Sequence, residues 1–234
     1  MSFDPSSPRC ARLSAGYRWP ASGPGGSCSR ICRSAALSAV SPAHVLEPTY
    51  RRLKRALMEG EWRGGTKLEA MRLADDFGVS MTPVRDSLNQ LVGEGLVDLT
   101  PGEGFRVPVL TEQTLRDILD VNALLLETSS SENTPKAGQS DDQPSSDTYP
   151  DRLAAAFLGL ARGSDNGYCV HLVERINERL HPVRKLEPQV LPKAIDMLNR
   201  IEASVTATRG EQIEAIRNYH EQCRSAVSQI ISLL

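Results

Sequence analysis

Apolar positions recur along this chain first at a helical period, then in alternating runs, then at a helical period again. From Thr49 the positions Tyr50, Leu53, Leu57 and Met58 share one helical face, and Gly60 closes that helix. Leu68 to Phe77 predicts a second, short helix broken by Gly78, and Thr82 to Val92 predicts a third. The run Leu96-Val97-Asp98-Leu99, a Thr-Pro-Gly-Glu-Gly turn and the run Phe105-Arg106-Val107-Pro108-Val109 follow. Pro101-Gly102 suits the two central positions of a type II turn, so these runs read as a hairpin. Three helices followed by a hairpin make a winged helix-turn-helix.

A further helix is expected from Thr111 to Glu127, with Leu115, Ile118, Leu119, Leu125 and Leu126 on one stripe and Asn122 on it too. Segments 151–163, 168–185 and 190–234 also read as helical, the last broken near Arg209-Gly210. The expected fold is mainly α: an N-terminal winged helix-turn-helix followed by an all-helical C-terminal domain. The chain divides into an extension (1–45), the winged domain (46–110), a connecting helix (111–127), a polar insertion (128–150) and a helical domain (151–234). The insertion begins TSSSENTPKAGQSDD and is polar and Pro/Ser-rich, as a linker or disordered segment is. In residues 1–45 Gly, Pro and Ser recur, arginines are scattered, Asp4 is the only acid and no apolar period emerges. A disordered extension fits that composition. A transit peptide is the alternative, although no amphipathic face supports it.

Composition narrows the class. The net charge of 234 residues is -2, the pI is near 6.1, and no strong pull toward membranes or polyanions follows. No run approaches the ~20 apolar residues that cross a bilayer, so a soluble, cytoplasmic protein is expected. Cys10, Cys28, Cys32, Cys169 and Cys223 are odd in number and irregularly spaced. They outline neither a zinc site nor a disulfide framework, and reduced thiols fit best.

The helix-turn-helix demands a small residue at the helix crossing, a glycine in the turn and an apolar anchor beneath the second helix. Ala74, Gly78 and Val84 fall at those places, with Leu73, Phe77, Val79 and Leu88 around them. Ser80 is a natural N-cap, and Pro83 is tolerated in a first turn, where backbone N–H groups lack helical partners. Those groups and the Thr82 hydroxyl can face a phosphate. Arg85, one turn further in, can reach a phosphate or a guanine edge. The plainer alternative leaves Ser80 and Thr82 as caps and Arg85 as a solvated charge.

The stretches TYRRLKRALMEGEWRGGTKL, LADDFGVSMTPVRDSLNQLVGEGLV and PGEGFRV resemble the DNA-binding domain of the GntR family of bacterial transcription regulators over residues 49–110. LRDILDVNALLLE and the helical remainder resemble the effector domain of its FadR-like branch. The resemblance implies a homodimer on a double-stranded DNA operator, with affinity set by a small carboxylate-type effector. The DNA-contacting candidates are Ser80, Met81, Thr82, Pro83 and Arg85 on the recognition helix. Lys67 and Arg72 join them, with Gly102, Gly104 and Arg106 on the wing. Met81 stands where the family usually has an arginine, so it is either a lost contact or an apolar contact to a thymine methyl. Glu103 stands where the wing usually carries a basic or polar contact. Residues 46–110 hold nine Lys/Arg and ten Asp/Glu, a net of -1. Phosphate neutralisation supplies most non-specific affinity, so DNA binding should be weak unless these charges are segregated.

In many FadR-like regulators an aspartate and three histidines hold a metal that holds the effector. His220, within IRNYH, resembles the last ligand and lies on the stripe Ile213, Ile216, Cys223, Val227, Ile230. The other positions carry Leu153, Phe157 and Ala194, which cannot ligate. His171 and His181 share a helix but lie roughly 80° out of phase. No metal or other cofactor is expected. Asn122 stands where the family often has an effector-binding arginine, so Asn122 and His220 are the effector-binding candidates. The alternative makes each a hydrogen-bonding packing residue. No nucleophile–base pair, metal spacing or phosphate loop appears, so neither an enzyme nor a catalytic residue is expected. The competing function is an interaction or ligand-binding protein that kept the winged fold without binding DNA. A two-fold homodimer is expected through Ile213, Ile216, Cys223, Val227, Ile230 and Leu234 together with Leu172, Val173, Ile176, Leu180 and Val183.

Overall fold

Leu53, Ala56 and Leu57 bury one face of helix α1 (Pro42–Glu59) against α3 (Met81–Gly93). The computed structural model describes residues 42–130 and 148–234. Helix α1 starts at Pro42, ahead of the expected Thr49, so residues 42–45 belong to it and not to the extension. The remainder of the expected extension lies outside the described residues. Pro48 hid this start: it removes one N–H donor from inside the helix, and the helix runs on regardless. Glu59 is followed by Gly60 at φ +72°, which ends the helix where expected.

Helix α2 (Ala70–Phe77) ends at Gly78, whose φ of +67° is a left-handed conformation that favours glycine. Leu68, expected at the head of that helix, lies instead in strand β1 (Lys67–Leu68). It pairs antiparallel with β3 (Gly104–Arg106), which pairs on its other side with β2 (Asp98–Thr100). The turn is as expected: Glu103 N–H donates to Thr100 O at 3.0 Å and Gly102 has φ +82°. Leu53, Leu68, Leu73, Val84, Leu88 and Leu91 form the core of this winged domain. Each such burial contributes about 1.5–3 kcal/mol against chain entropy.

The second domain contains α4 (Glu112–Ser129), α5 (Tyr149–Arg162), α6 (Gly167–Val190), α7 (Ala194–Ser204), α8 (Arg209–Ser225) and α9 (Val227–Leu233). Thr111 caps α4 by accepting the Thr114 N–H. Thr208 and Glu211 form a capping box that starts α8, so the expected break near Arg209-Gly210 falls just before it. A second break at Ala226 separates α8 from α9. Of the expected insertion, residues 128 and 129 finish α4 and 149 and 150 begin α5, while 131–147 lie outside the described residues.

The two stripes expected to form a dimer interface are mostly spent inside the chain. Val173, Leu180 and Val183 of α6 and Ile216, Cys223, Val227 and Ile230 of α8 and α9 are buried in one core with Leu115, Leu119 and Phe157. Helices α4, α5 and α7 provide the cover the sequence reading did not credit. The large apolar residues left outside in this domain include Val121 and Leu124 on the outer face of α4, 51% and 66% exposed.

The two domains meet where α1 lies on α6 through polar contacts. Lys54 reaches Glu94 at 3.1 Å and Glu178 at 2.7 Å, and Arg175 reaches Glu94 at 3.0 Å. Burial works against both charges, yet the hydrogen bonds from Tyr50 and Lys54 hold the Glu94 carboxyl below its ordinary range. Lys185 closes the end of α1 at 2.6 Å from Glu59. His181 of α6 bridges the Met58 carbonyl (2.7 Å from Nδ1) and Asp151 of α5 (3.3 Å from Nε2).

Candidate nucleic-acid interface

Helix α3 buries Val84, Ser87, Leu88 and Leu91, which turns Thr82, Arg85, Asp86 and Asn89 outward. Those four follow the same 3.6-residue period on the opposite side. Ser80 holds the N-cap position in extended backbone but makes no side-chain cap bond, contrary to expectation. Its hydroxyl and that of Thr82 are both exposed and unengaged among the described residues. Pro83 contributes no N–H, and the amides ahead of it point out of the helix start, where an anion is favoured. Met81 opens the helix at 40% exposure.

The basic candidates divide into two kinds. Arg85 and Arg72 are exposed and have no carboxylate partner among the described residues. Lys67 and Arg106 sit opposite each other on β1 and β3, and each has a carboxylate beside it. Lys67 lies 3.9 Å from Glu69, and Arg106 lies 3.3 Å from Glu103 while donating to Gly65 O at 3.1 Å. Half-exposed pairs of this kind contribute little to stability, but they cancel charge that a phosphate would otherwise meet. Gly102 and Gly104 stand in positive φ with no atom near the space a Cβ would fill, so the wing tip is thin and its backbone approachable.

Two features escaped the sequence reading. Asn89 follows Arg85 on the outward face, and the helical period was enough to find it. Arg51, Arg52 and Arg55 add a second basic face on α1, legible in the spacing Arg-Arg-x-x-Arg. Arg51 is paired with Glu47 at 2.7 Å, and the Arg52 guanidinium lies 4.0 Å from the centre of the Phe77 ring.

The two effector candidates come together: Asn122 Nδ2 and His220 Nε2 are 3.0 Å apart and both residues are fully buried. His220 Nδ1 lies 2.7 Å from Ile216 O, so that nitrogen carries the proton and Nε2 accepts from Asn122. The ring is therefore neutral. Burial, with Arg184 and Arg224 nearby, lowers its pKa to about 4. Phe157 stacks against it at 5.8 Å. Leu153, Phe157 and Ala194 are buried and offer no ligand atom, and no three His, Cys, Asp or Glu converge among the described residues. These residues do not fit a metal. His171 lies exposed near Glu174, far in role from His181 at the domain junction.

Arg184 and Glu187, one turn apart on α6, also went unread. Arg184 is fully buried, donates to Asn177 Oδ1 at 2.8 Å and lies 5.1 Å from the Phe157 ring centre. Glu187 accepts from Tyr149 and Tyr219, both at 2.8 Å, and burial raises its carboxyl above the ordinary range.

Residues 47–107 match the family described as bacterial regulatory proteins, gntR family. The HTH-type transcriptional repressor GlaR of Escherichia coli (strain K12) is 36% identical over 32% of this chain and 34% of its own length. The match to that repressor thus spans about a third of it. The HTH-type transcriptional regulator YdhC of Bacillus subtilis (strain 168) is 27% identical over 58% of this chain and 68% of its own. Among solved structures, E. coli McbR/YncC superposes with a TM-score of 0.56 at 18% identity, covering 79% of this chain and 97% of that one. At that identity the likeness is one of fold, and it extends through the helical domain. Among the described residues no helix is long and apolar enough to cross a membrane.

Proposed function

We propose that this chain, whose residues 47–107 match the family described as bacterial regulatory proteins, gntR family, is a sequence-specific DNA-binding transcription regulator. The observation that carries this reading is the start of α3. There Arg85, uncommitted to any carboxylate, stands beside the free hydroxyls of Ser80 and Thr82 at a helix N-terminus. An anion is attracted by the amides and hydroxyls, which position the duplex, while Arg85 reaches into the groove. Arg72 adds a phosphate contact, and the thin glycine tip of the wing lets its backbone approach the duplex. The carboxylates beside Lys67 and Arg106 make the wing a weaker clamp. The unpaired Arg72 of α2 and Arg85 of α3 favour DNA binding over a degenerate winged fold, although the exposed Asp75, Asp76 and Asp86 stand on the same two helices and residues 46–110 carry a net of -1.

The reading continues to a homodimer in the cytoplasm, because two recognition helices about 34 Å apart are needed to read successive major-groove faces. The outer face of α4, with Val121 and Leu124, is a better candidate interface than the stripes already spent in the core. A small molecule would modulate operator affinity, and no catalytic step is assigned. Purified protein mixed with sheared genomic DNA, followed by sequencing of the bound fragments, tests the reading. It expects enriched fragments that share two related half-sites about one helical turn apart. Bound fragments with no common sequence would defeat it.

A further inference from the structure

A cavity of about 380 Å³ opens between the winged domain and the helical domain. Its walls are apolar: Leu57 and Trp62 from the end of α1 and the loop after it, Val107 beyond the wing, Pro182 of α6 and Ile231 of α9. Three charged side chains reach it, namely Arg63, Glu178 and Arg179. Glu178 is committed to Lys54 at 2.7 Å. Arg63 and Arg179 are exposed and have no carboxylate partner among the described residues. The volume falls in the range of small-molecule sites, and an apolar hollow with a few polar groups at its edge is their usual form.

We propose that this cavity is the effector site, and that its occupant is an amphipathic monoanion with an apolar aliphatic or aromatic body and a single oxyanion head. The body displaces water from the apolar walls, and the head meets the two arginines, whose planar donors suit a carboxylate. In the interior of the helical domain Asn122 and His220 bond to each other, Phe157 stacks on the imidazole, and the Nε and Nη2 of buried Arg184 have no hydrogen-bond partner among the described residues. The cavity between the domains differs in presenting two exposed arginines at the edge of an open apolar hollow. The position also explains how binding would reach DNA. Glu178 borders the cavity and is the same carboxylate that holds Lys54 of α1, so an occupant biases the contact between the two domains. That consequence rests on the DNA-binding reading; occupancy of the cavity does not.

The test uses the full chain with Trp19→Phe, which leaves Trp62 as the only one of the two tryptophans. Octanoate, which is optically silent, is titrated against 1-octanol, which shares its chain but carries no charge. A saturable change in Trp62 emission is expected with octanoate, with at least tenfold weaker binding of 1-octanol. The double substitution Arg63→Gln with Arg179→Gln should weaken octanoate at least tenfold while the thermal midpoint is retained. No saturable change overturns the site. Equal affinity for the acid and the alcohol, or indifference to the double substitution, overturns the anionic occupant. Fluorescence anisotropy of a labelled operator then reads the coupling, where saturating octanoate should change affinity at least threefold in the parent and not in the double variant. Octanoate binding without that change overturns the coupling. Octanoate binding by a protein that retains no DNA supports the site and overturns the DNA-binding reading.

Discussion

His220 and Asn122 are separated by 98 residues, yet one hydrogen bond joins them in the interior, and burial there, with Arg184 and Arg224 nearby, keeps the ring neutral. The unfolded chain protonates this imidazole near 6.5, the folded one only near 4. Between those values the unfolded state binds the extra proton, so this residue's contribution to stability is present above 6.5 and falls as the pH drops. Glu187 works in the opposite sense, because its folded pKa is raised and its contribution fades as pH rises. The two are separated by comparing the parent with His220→Gln in urea unfolding. The parent's advantage should shrink by about 2 kcal/mol between pH 7 and pH 4.5. A difference that does not change with pH would contradict the buried neutral ring. At the DNA face, Met81→Arg should strengthen operator binding and steepen its salt dependence by about one phosphate contact. An unchanged affinity and slope would show that position 81 stays clear of the duplex. The inward aim of both Asn122 and His220 was legible, since each lies on an apolar stripe. Their pairing was not, because it depends on how α4 packs against α8.

Helix α3 was legible almost to the residue, since burial of one face dictates its period and Gly78 and the hairpin bracket it. Strand β1 was not, because two residues carry no alternation to detect, and its pairing depends on β3 nearly forty positions away. The start of α1 was masked by Pro48, which reads as a breaker but is tolerated inside the helix. The polar junction between α1 and α6 was invisible for a different reason: its members look like ordinary surface charges until the two helices meet. His181 is the instructive case. Its Nδ1 donates to Met58 O at 2.7 Å, and its Nε2 stands 3.3 Å from Asp151 Oδ1, so one ring joins α1, α5 and α6. His181→Leu removes the side-chain donor to Met58 O and should destabilise the chain by about 1–3 kcal/mol. Amide exchange in the last turn of α1 should also speed up. Unchanged exchange there would mean that the contact does not tie the domains together.

For the whole molecule, the fold class was legible and the spending of its apolar surface was not. Stripes on α6, α8 and α9 read as an interface because a sequence lists apolar positions without their partners. Leu115, Leu119 and Phe157 turn out to cover them. The proposed dimer is then assigned to the outer face of α4, and Leu124→Glu should shift the mass measured by light scattering at micromolar concentration toward a monomer. Parent and variant of equal mass would remove α4 from the interface. The central claim concerns DNA, and Arg85 is where it is most exposed to test. Anisotropy titration of parent and Arg85→Ala on an enriched fragment and on an unrelated duplex, at matched salt, measures it directly. The substitution should cost about 1–3 kcal/mol on the enriched fragment and leave a smaller preference over the unrelated duplex. Equal affinities of the two proteins on both duplexes would contradict the account.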